Sequence, residues 1–514
     1  MRKSLIGVQI LMFAIPSMTY AAGCSSLSDV SLFNVDIIKA ESQVAQTLPP
    51  DGMSAITGAS PKAIVVGEHC LVEGKIEDRE GINGRYGIRF QLRMPKDNWN
   101  GRFLFQGGGG SDGFIAPAIG SIPSSASTAK TALERGYAVV SMDGGHDGMN
   151  MDFVADQQSR LDLAYASIGK VTQTAKALIQ DYYHQAPNES FFMGCSNGGR
   201  EAMMAASRFP LEFDGVVAGN PGFNLSRAAI GAVWDVEHLR TLSPDGQLHK
   251  AFTQSDLDLV SELILDQCDA LDGVKDGVVA NYKQCDFQID SLKGKLSERK
   301  VATLVAIMNG AHDSEGHPVY SDWPWDPGIS SAGWRSWKLG TAEHPGLHEM
   351  MSVPSVGAVF MTPPQKTPKN PDYGKLAQDV ADVSGYFNAD ETFLTTFAQR
   401  GGKMIIFQGL ADPIFSANDI ARWYKQMTEN TGSDVARLFM VPGMNHCGGG
   451  PAFEDFDPLT ALEQWKDTGQ EPTQIVAKAP TMPEREMPLC AYPNYAKYIG
   501  GDETSVDSYQ CVSP

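Results

Sequence analysis

Three residues far apart in the chain are of the types needed for nucleophilic attack on an ester: Ser196, Asp412 and His446. Ser196 sits in Gly194-Cys195-Ser196-Asn197-Gly198-Gly199, a G-x-S-x-G pattern. An apolar run, Phe191 to Met193, leads in, and a helix-forming run, Arg200 to Arg208, leads out. That context predicts strand, sharp turn and helix, which lifts the serine hydroxyl off the C-terminal edge of a sheet while small glycines let strand and helix approach. The N–H of Asn197 then points to where an oxyanion would form. The same pattern also occurs as a Gly-rich turn around a buried serine, so the rest of the chain must supply the acid and the base.

Two later apolar runs, Lys403 to Phe407 and Ala436 to Val441, predict strands, each followed by a loop with one such residue. Asp412 stands in Gly409-Leu410-Ala411-Asp412-Pro413-Ile414-Phe415, and His446 in Pro442-Gly443-Met444-Asn445-His446-Cys447-Gly448-Gly449. The chain order Ser, Asp, His is that of an α/β hydrolase. In that arrangement His446 takes the Ser196 proton and returns it to the leaving alcohol, and Asp412 holds the imidazole tautomer and stabilises its cation. A further strand, Arg102 to Phe105, runs into Gln106-Gly107-Gly108-Gly109-Gly110. Such a loop after a strand supplies the second oxyanion N–H, assigned here to Gly108 or a residue beside it. His146, in Asp143-Gly144-Gly145-His146-Asp147, lies upstream of the serine and is read as a loop histidine.

The cysteines add an independent constraint. Cys195 precedes the nucleophile and Cys447 follows the base, so contact between Ser196 and His446 makes these two cysteines neighbours able to bridge. A second group is Cys268-Asp269-Ala270-Leu271-Asp272-Gly273-Val274-Lys275-Asp276-Gly277-Val278, followed by Cys285. Its carboxylates, spaced three and four apart with glycines between, can converge on a hard cation or form an acidic surface turn. A bridge from Cys268 to Cys285 would tie the ends of this loop.

The elements that must position these groups follow from the pattern along the chain. Val30 to about Asn100 mixes short strands and turns, with Tyr86 to Arg93 alternating as a half-exposed strand does. It is expected to extend the main sheet at its N-terminal side. A helix over Ser127 to Arg135, a strand over Tyr137 to Met142, a helix over Ala164 to His184 and a strand over Gly215 to Ala218 complete a β/α alternation, which implies a parallel sheet covered on both faces. From about Gly222 to Ala398 the rhythm changes to helices and irregular stretches rich in Trp, Pro and Gly, such as Trp323-Pro324-Trp325-Asp326-Pro327. The expectation is an α/β-hydrolase core, residues 24–221 and 399–514, with an inserted lid over 222–398.

Met1 to Gly23 opens with Arg2 and Lys3, continues with an apolar stretch from Leu5 to Ile15 and ends in small residues, the form of a signal peptide cleaved between Tyr20 and Cys24. Export to the periplasm or the medium is expected. Lipidation at Cys24 is disfavoured because it would leave an odd cysteine among eight. With 514 residues and 42% apolar content the chain can bury a large core. Its 61 acidic against 41 basic residues, a net charge of −20, argue against nucleic-acid and membrane partners. Oligomeric state is left open.

Taken together, the G-C-S-x-G-G elbow, the G-x-x-D-P loop, the N-H-C-G-G-G loop and the C-D-x-x-D-G-x-x-D-G segment resemble the tannase and feruloyl esterase family over nearly the whole mature chain. The resemblance implies an α/β-hydrolase core with a large lid, Ser196, Asp412 and His446 as the triad, and a Cys195–Cys447 disulfide. It also implies a structural calcium in the lid, held by the Asp269, Asp272 and Asp276 side chains and the carbonyls of Val274 and Val278. Cys24 with Cys70 and Cys490 with Cys511 are the remaining pairs, chosen mainly by proximity in sequence. The implied substrates are small esters of aromatic acids, galloyl or feruloyl, from plant polyphenols or cell walls. One branch instead hydrolyses mono(hydroxyethyl) terephthalate, selecting its free carboxylate with a lid arginine; Arg335 does not clearly match it, so that activity is the second reading. Trp334, Trp337 and Phe415, and with them Phe360, are candidate walls of the acyl pocket. A non-catalytic binding protein is the alternative of a different class, against which an intact triad and oxyanion loop argue.

Overall fold

The computed structural model describes residues 23–48, 63–243 and 245–514. The signal peptide expected over Met1 to Gly23 falls, apart from Gly23, outside them. Strands of five to seven residues, buried along most of their length, form the centre: β4 (Arg102–Gln106), β5 (Ala138–Met142), β6 (Glu189–Cys195), β7 (Gly215–Gly219), β8 (Lys403–Gly409) and β9 (Ala436–Val441). Strands covered on both faces read as nearly continuous apolar runs, and these six pair in parallel in the order β5-β4-β6-β7-β8-β9. The N-terminal region adds β1 (Val35–Gln43), β2 (His69–Gly81) and β3 (Gly84–Pro95) antiparallel at the β5 side, giving a nine-stranded sheet. Side chains alternate between its faces: Phe103, Phe105 and Phe192 pack with α1 (Ser167–Tyr183) and α2 (Asn197–Arg208), whereas Leu104, Phe191 and Met193 pack with Leu459, Leu462 and Trp465 of a late helix.

Between β7 and β8 the described chain contributes no strand to this sheet. It forms a helical layer beginning with α3 (Leu225–Leu242), with its own cluster around Phe252, Leu257, Ile264 and Trp334. The expected helix over Ser127 to Arg135 is absent. The N–H groups of Ala132 and Leu133 bond the carbonyls of Gly120 and Ile119, so a tertiary pairing replaces the i→i−4 ladder. All four expected disulfides are formed: Cys24–Cys70, Cys195–Cys447, Cys268–Cys285 and Cys490–Cys511. Among the described residues no helix is long and apolar enough to cross a membrane.

Candidate active site

The C-terminal ends of β4, β6, β7, β8 and β9 open on one edge of the sheet, and each contributes to the site. Ser196 follows β6 with φ +63° and ψ −122°, a backbone state that few non-glycine residues adopt. The turn is tight enough that a Cβ on Gly194 would fall 2.7 Å from the carbonyl of Gly198, so only glycine fits. Ser196 N–H donates to the Gly219 carbonyl, and Gly222 N–H to the Ser196 carbonyl, fixing the elbow to the end of β7. His446 Nε2 lies 2.8 Å from Ser196 Oγ, and His446 Nδ1 lies 2.9 Å from Asp412 Oδ2. Asp412 is 2% exposed and also accepts from Asn220 Nδ2, Gln408 Nε2 and the N–H groups of Ile414 and Phe415. A carboxylate surrounded by donors leaves Nδ1–H as the proton facing it, so Nε2 is free to accept from the serine.

The base loop is held from several sides. The Cys195–Cys447 bridge brings the two Cα atoms to 6.0 Å. Ser125 N–H donates to the Cys447 carbonyl, Gly449 N–H to Glu454, and Gly443 N–H to Asp326 of the helical layer. Asn445 donates to the carbonyls of Gly328 and Ala411 and accepts from the Trp334 N–H. Asn220, Gln408, Asp326, Asn445 and Glu454 were not singled out from the sequence. Only Asn445, beside the histidine, and Asn220, one residue beyond a buried strand, stood where a signal existed.

A family model described as tannase and feruloyl esterase matches residues 70–512. The chain belongs to the tannase and feruloyl esterase family. It is 37% identical to mono(2-hydroxyethyl) terephthalate hydrolase from Piscinibacter sakaiensis, over 89% of this chain and 87% of that protein. It is 30% identical to a probable feruloyl esterase from Arthroderma benhamiae, over 84% and 83% respectively. Among solved structures, feruloyl esterase B from Aspergillus oryzae superposes with a TM-score of 0.78 at 24% identity, covering 95% of this chain and 99% of that one. Tannin acyl hydrolase from Aspergillus niger gives 0.72 at 21%, covering 96% and 94%. The fold is that of an α/β hydrolase, and the protein is a carboxylic ester hydrolase acting on aromatic esters.

The esterase departs from expectation at the glycine loop. Gly108 N–H donates to Glu201 Oε2 at 2.9 Å and Gly109 N–H to Asp112 Oδ1 at 3.1 Å, so both point away from the serine. Gly110 borders the cleft beside Ser196 and Asn197, and its N–H has no protein partner among the described residues. The cleft, about 700 Å³ with its open mouth, is walled by Trp337, Phe360, Phe387 and Phe415 together with aliphatic side chains. The Trp337 and Phe415 rings stand 5.2 and 5.3 Å from the His446 ring. Trp334 does not line this cleft. It is buried in the core of the helical layer with the Lys338 ammonium over its ring, because the short helix α4 (Ala332–Lys338) turns it toward that layer's interior. Arg335 is spent on the carbonyls of His249 and Phe252.

Among the described residues no charged side chain lines the cleft, and the hydroxyls that do are those of Ser111, Ser196, Ser352 and Ser355. Behind them His348 is fully buried, and burial holds its imidazole well below the usual range. Its Nε2 is 3.2 Å from the Pro413 carbonyl, which can only accept, so Nδ1 is the acceptor and Ser352 donates to it at 3.4 Å. Ser355 donates to the Ser352 carbonyl at 2.7 Å. Both hydroxyls therefore offer lone pairs to the cleft. His146 lies elsewhere, stacked 3.7 Å from Phe153, and burial lowers it to about 4.

In the acidic segment, Asp269 accepts from the N–H groups of Asp276 and Gly277, Asp272 from those of Val274 and Ala280, and Asp276 from that of Val278. Burial, with Asp276 and Asp269 adding repulsion, raises Asp272 to about 7. Among the described residues Arg485, 2.7 Å from Asp276, is the one cation bonded to the three. Their charge and all-oxygen chemistry suit a hard divalent ion. Among the described residues, however, no three acidic, histidine or cysteine side chains form a ready-made cage.

Proposed function

We propose that this protein is an exported serine esterase that cleaves esters of hydroxylated aromatic acids through an acyl-enzyme. The carrying observation is the relay of 2.8 Å from Ser196 Oγ to His446 Nε2 and 2.9 Å from His446 Nδ1 to Asp412. Ser196 Oγ bonds to the ester carbon as its proton passes to His446 Nε2. The carbonyl oxygen becomes an oxyanion facing the N–H groups of Asn197 and Gly110. Collapse breaks the C–O bond to the alcohol, which takes the proton from His446; water then repeats the sequence and releases the acid.

The lone pairs offered by Ser352 and Ser355 support a ring bearing a phenolic O–H, which donates. They disfavour a ring bearing a carboxylate, which is charged and can only accept. The second reading, hydrolysis of mono(hydroxyethyl) terephthalate, is favoured by the 37% identity to a hydrolase of that name. Against it stand the lining of the cleft, uncharged among the described residues, and the internal commitment of Arg335. Calcium is assigned to the Asp269, Asp272 and Asp276 side chains with the Val274 and Val278 carbonyls, where it would offset their repulsion and stiffen the lid far from the chemistry. Export is supported by the N-terminal pattern and by four disulfides.

Two measurements test this. A fluorophosphonate probe should label Ser196 alone. In a panel of methyl ferulate, methyl gallate, methyl cinnamate and mono(hydroxyethyl) terephthalate, the two hydroxylated esters should show the highest kcat/KM. Preference for the terephthalate would overturn the acyl assignment in favour of the second reading.

A further inference from the structure

Behind the glycine loop lies a pair of carboxyl groups that the relay does not use. Asp112, at the end of that loop, is 2% exposed, and Glu201, one turn into α2, is 1% exposed. Their carboxyl groups are neighbours, close enough to share one side-chain amide, that of Asn197. Each also accepts from the loop, through Gly109 N–H and Gly108 N–H respectively. Both accept from the elbow: Asn197 Nδ2 stands 3.1 Å from Asp112 Oδ2 and 3.3 Å from Glu201 Oε1. The space is fitted to this pair, since a Cβ on Gly108 would lie 2.0 Å from Asp112 Oδ1 and one on Gly144 2.8 Å from Asp112 Oδ2.

Arg200, beside Glu201 in α2, is fully buried and bonds neither carboxyl. Its guanidinium donates to the carbonyls of Leu163, Ala164 and Phe387 and to the Asn197 side chain. Two adjacent buried carboxyls without a bonded cation cannot both ionise. Burial and the Glu201 charge push Asp112 well above the carboxylate range. One proton and one negative charge therefore reside on the pair, and the charge is matched at a distance by Arg200.

We propose that Asp112 and Glu201 are positioning residues for ester hydrolysis, an acid–carboxylate pair that turns the N–H groups of Gly108 and Gly109 inward and so presents those of Gly110 and Asn197 to the oxyanion. The run of four glycines has almost no conformational preference of its own. Donors must nevertheless sit within about 3 Å of the developing charge, and an error of ~1 Å costs on the order of 10²-fold. The pair grips both halves of the hole, the loop and the elbow, from one buried point.

The inference rests on the serine-esterase reading, which fluorophosphonate labelling of the parent enzyme tests separately. With methyl ferulate as substrate, Asp112→Ala should lose about 10²-fold in kcat while KM stays within ~3-fold. Asp112→Asn, whose amide N–H replaces the acid O–H toward Glu201, should recover to within ~5-fold of the parent. The double variant Asp112→Asn/Glu201→Gln, which has no carboxylate to hold the loop, should lose at least as much as Asp112→Ala. Melting temperature and Ser196 labelling are recorded for each; if Asp112→Ala does not fold, the single and double amide variants carry the comparison. An Asp112→Ala enzyme with parental kcat, a loss confined to KM, or folded Asp112→Asn as slow as the double variant would overturn the inference. A parent that is not labelled at Ser196 would instead overturn the esterase reading.

Discussion

Replacing Cys195 and Cys447 together with alanine should lower turnover about tenfold while leaving KM within ~2-fold. The bridge joins the residue before the nucleophile to the residue after the base and closes a loop spanning a sequence separation of 252. For a loop of that length the chain-entropy model gives about 5 kcal/mol of stabilisation, so the melting temperature should fall as well. The effect on chemistry is smaller because other ties survive. Ser125 still holds the Cys447 carbonyl, Asp326 the Gly443 N–H, Asn445 the Gly328 and Ala411 carbonyls, and Gly219 the Ser196 N–H. With those in place the imidazole moves by well under the ~1 Å that costs 10²-fold, and a tenfold loss is about 1.4 kcal/mol of transition-state stabilisation. The assay is kcat and KM on methyl ferulate for the folded double variant, with the parent under reductant as a parallel measurement. Unchanged turnover would show that the bridge plays no part in aligning the base. A loss above ~10³ would show that the surviving hydrogen bonds do not hold the loop.

Ser196→Ala should abolish hydrolysis, a loss on the order of 10⁶ in turnover, with no change in melting temperature; substantial residual activity would point to another nucleophile. Ser352→Ala should reduce kcat/KM for methyl ferulate more than for methyl cinnamate, and equal losses would remove the hydroxyl-recognition argument. Chelation should lower the melting temperature, with Asp272→Ala reproducing the effect; protein prepared without chelator and free of calcium by elemental analysis would refute the metal assignment. Glu454 is pushed by burial from its ordinary value of 4.5 up to about 7, with Asp455 adding and the Gly449 N–H opposing. The folded state thus keeps this proton to higher pH than the unfolded chain, and the associated stability is full below pH 4.5 and lost as pH rises through 7. Glu454→Gln should therefore raise the melting temperature at about pH 8 and leave it unchanged below pH 4.5; a gain only at acidic pH would contradict this.

What the sequence determined by itself is what short-range chemistry dictates. Buried parallel strands must be apolar throughout, so β4 to β9 were visible as runs, and the loops beyond them could be searched for Ser196, Asp412 and His446 in order. The Cys195–Cys447 pairing followed because two residues adjacent to touching residues are themselves neighbours. Where the sequence fell short, the deciding partner was distant in the chain. Gly108 lost its N–H to Glu201, 93 residues away, leaving Gly110 on the cleft. Ala132 and Leu133 gave theirs to Gly120 and Ile119 respectively and dissolved the expected helix. Trp334 and Trp337 lie on the same helical turn, about 60° apart around the axis. That small rotation buries one in the helical layer and sets the other against His446, and only packing with that layer's core and the base loop can choose between them. A hydrogen-bond donor or a ring is a local property of the sequence, whereas the partner that claims it is a property of the fold.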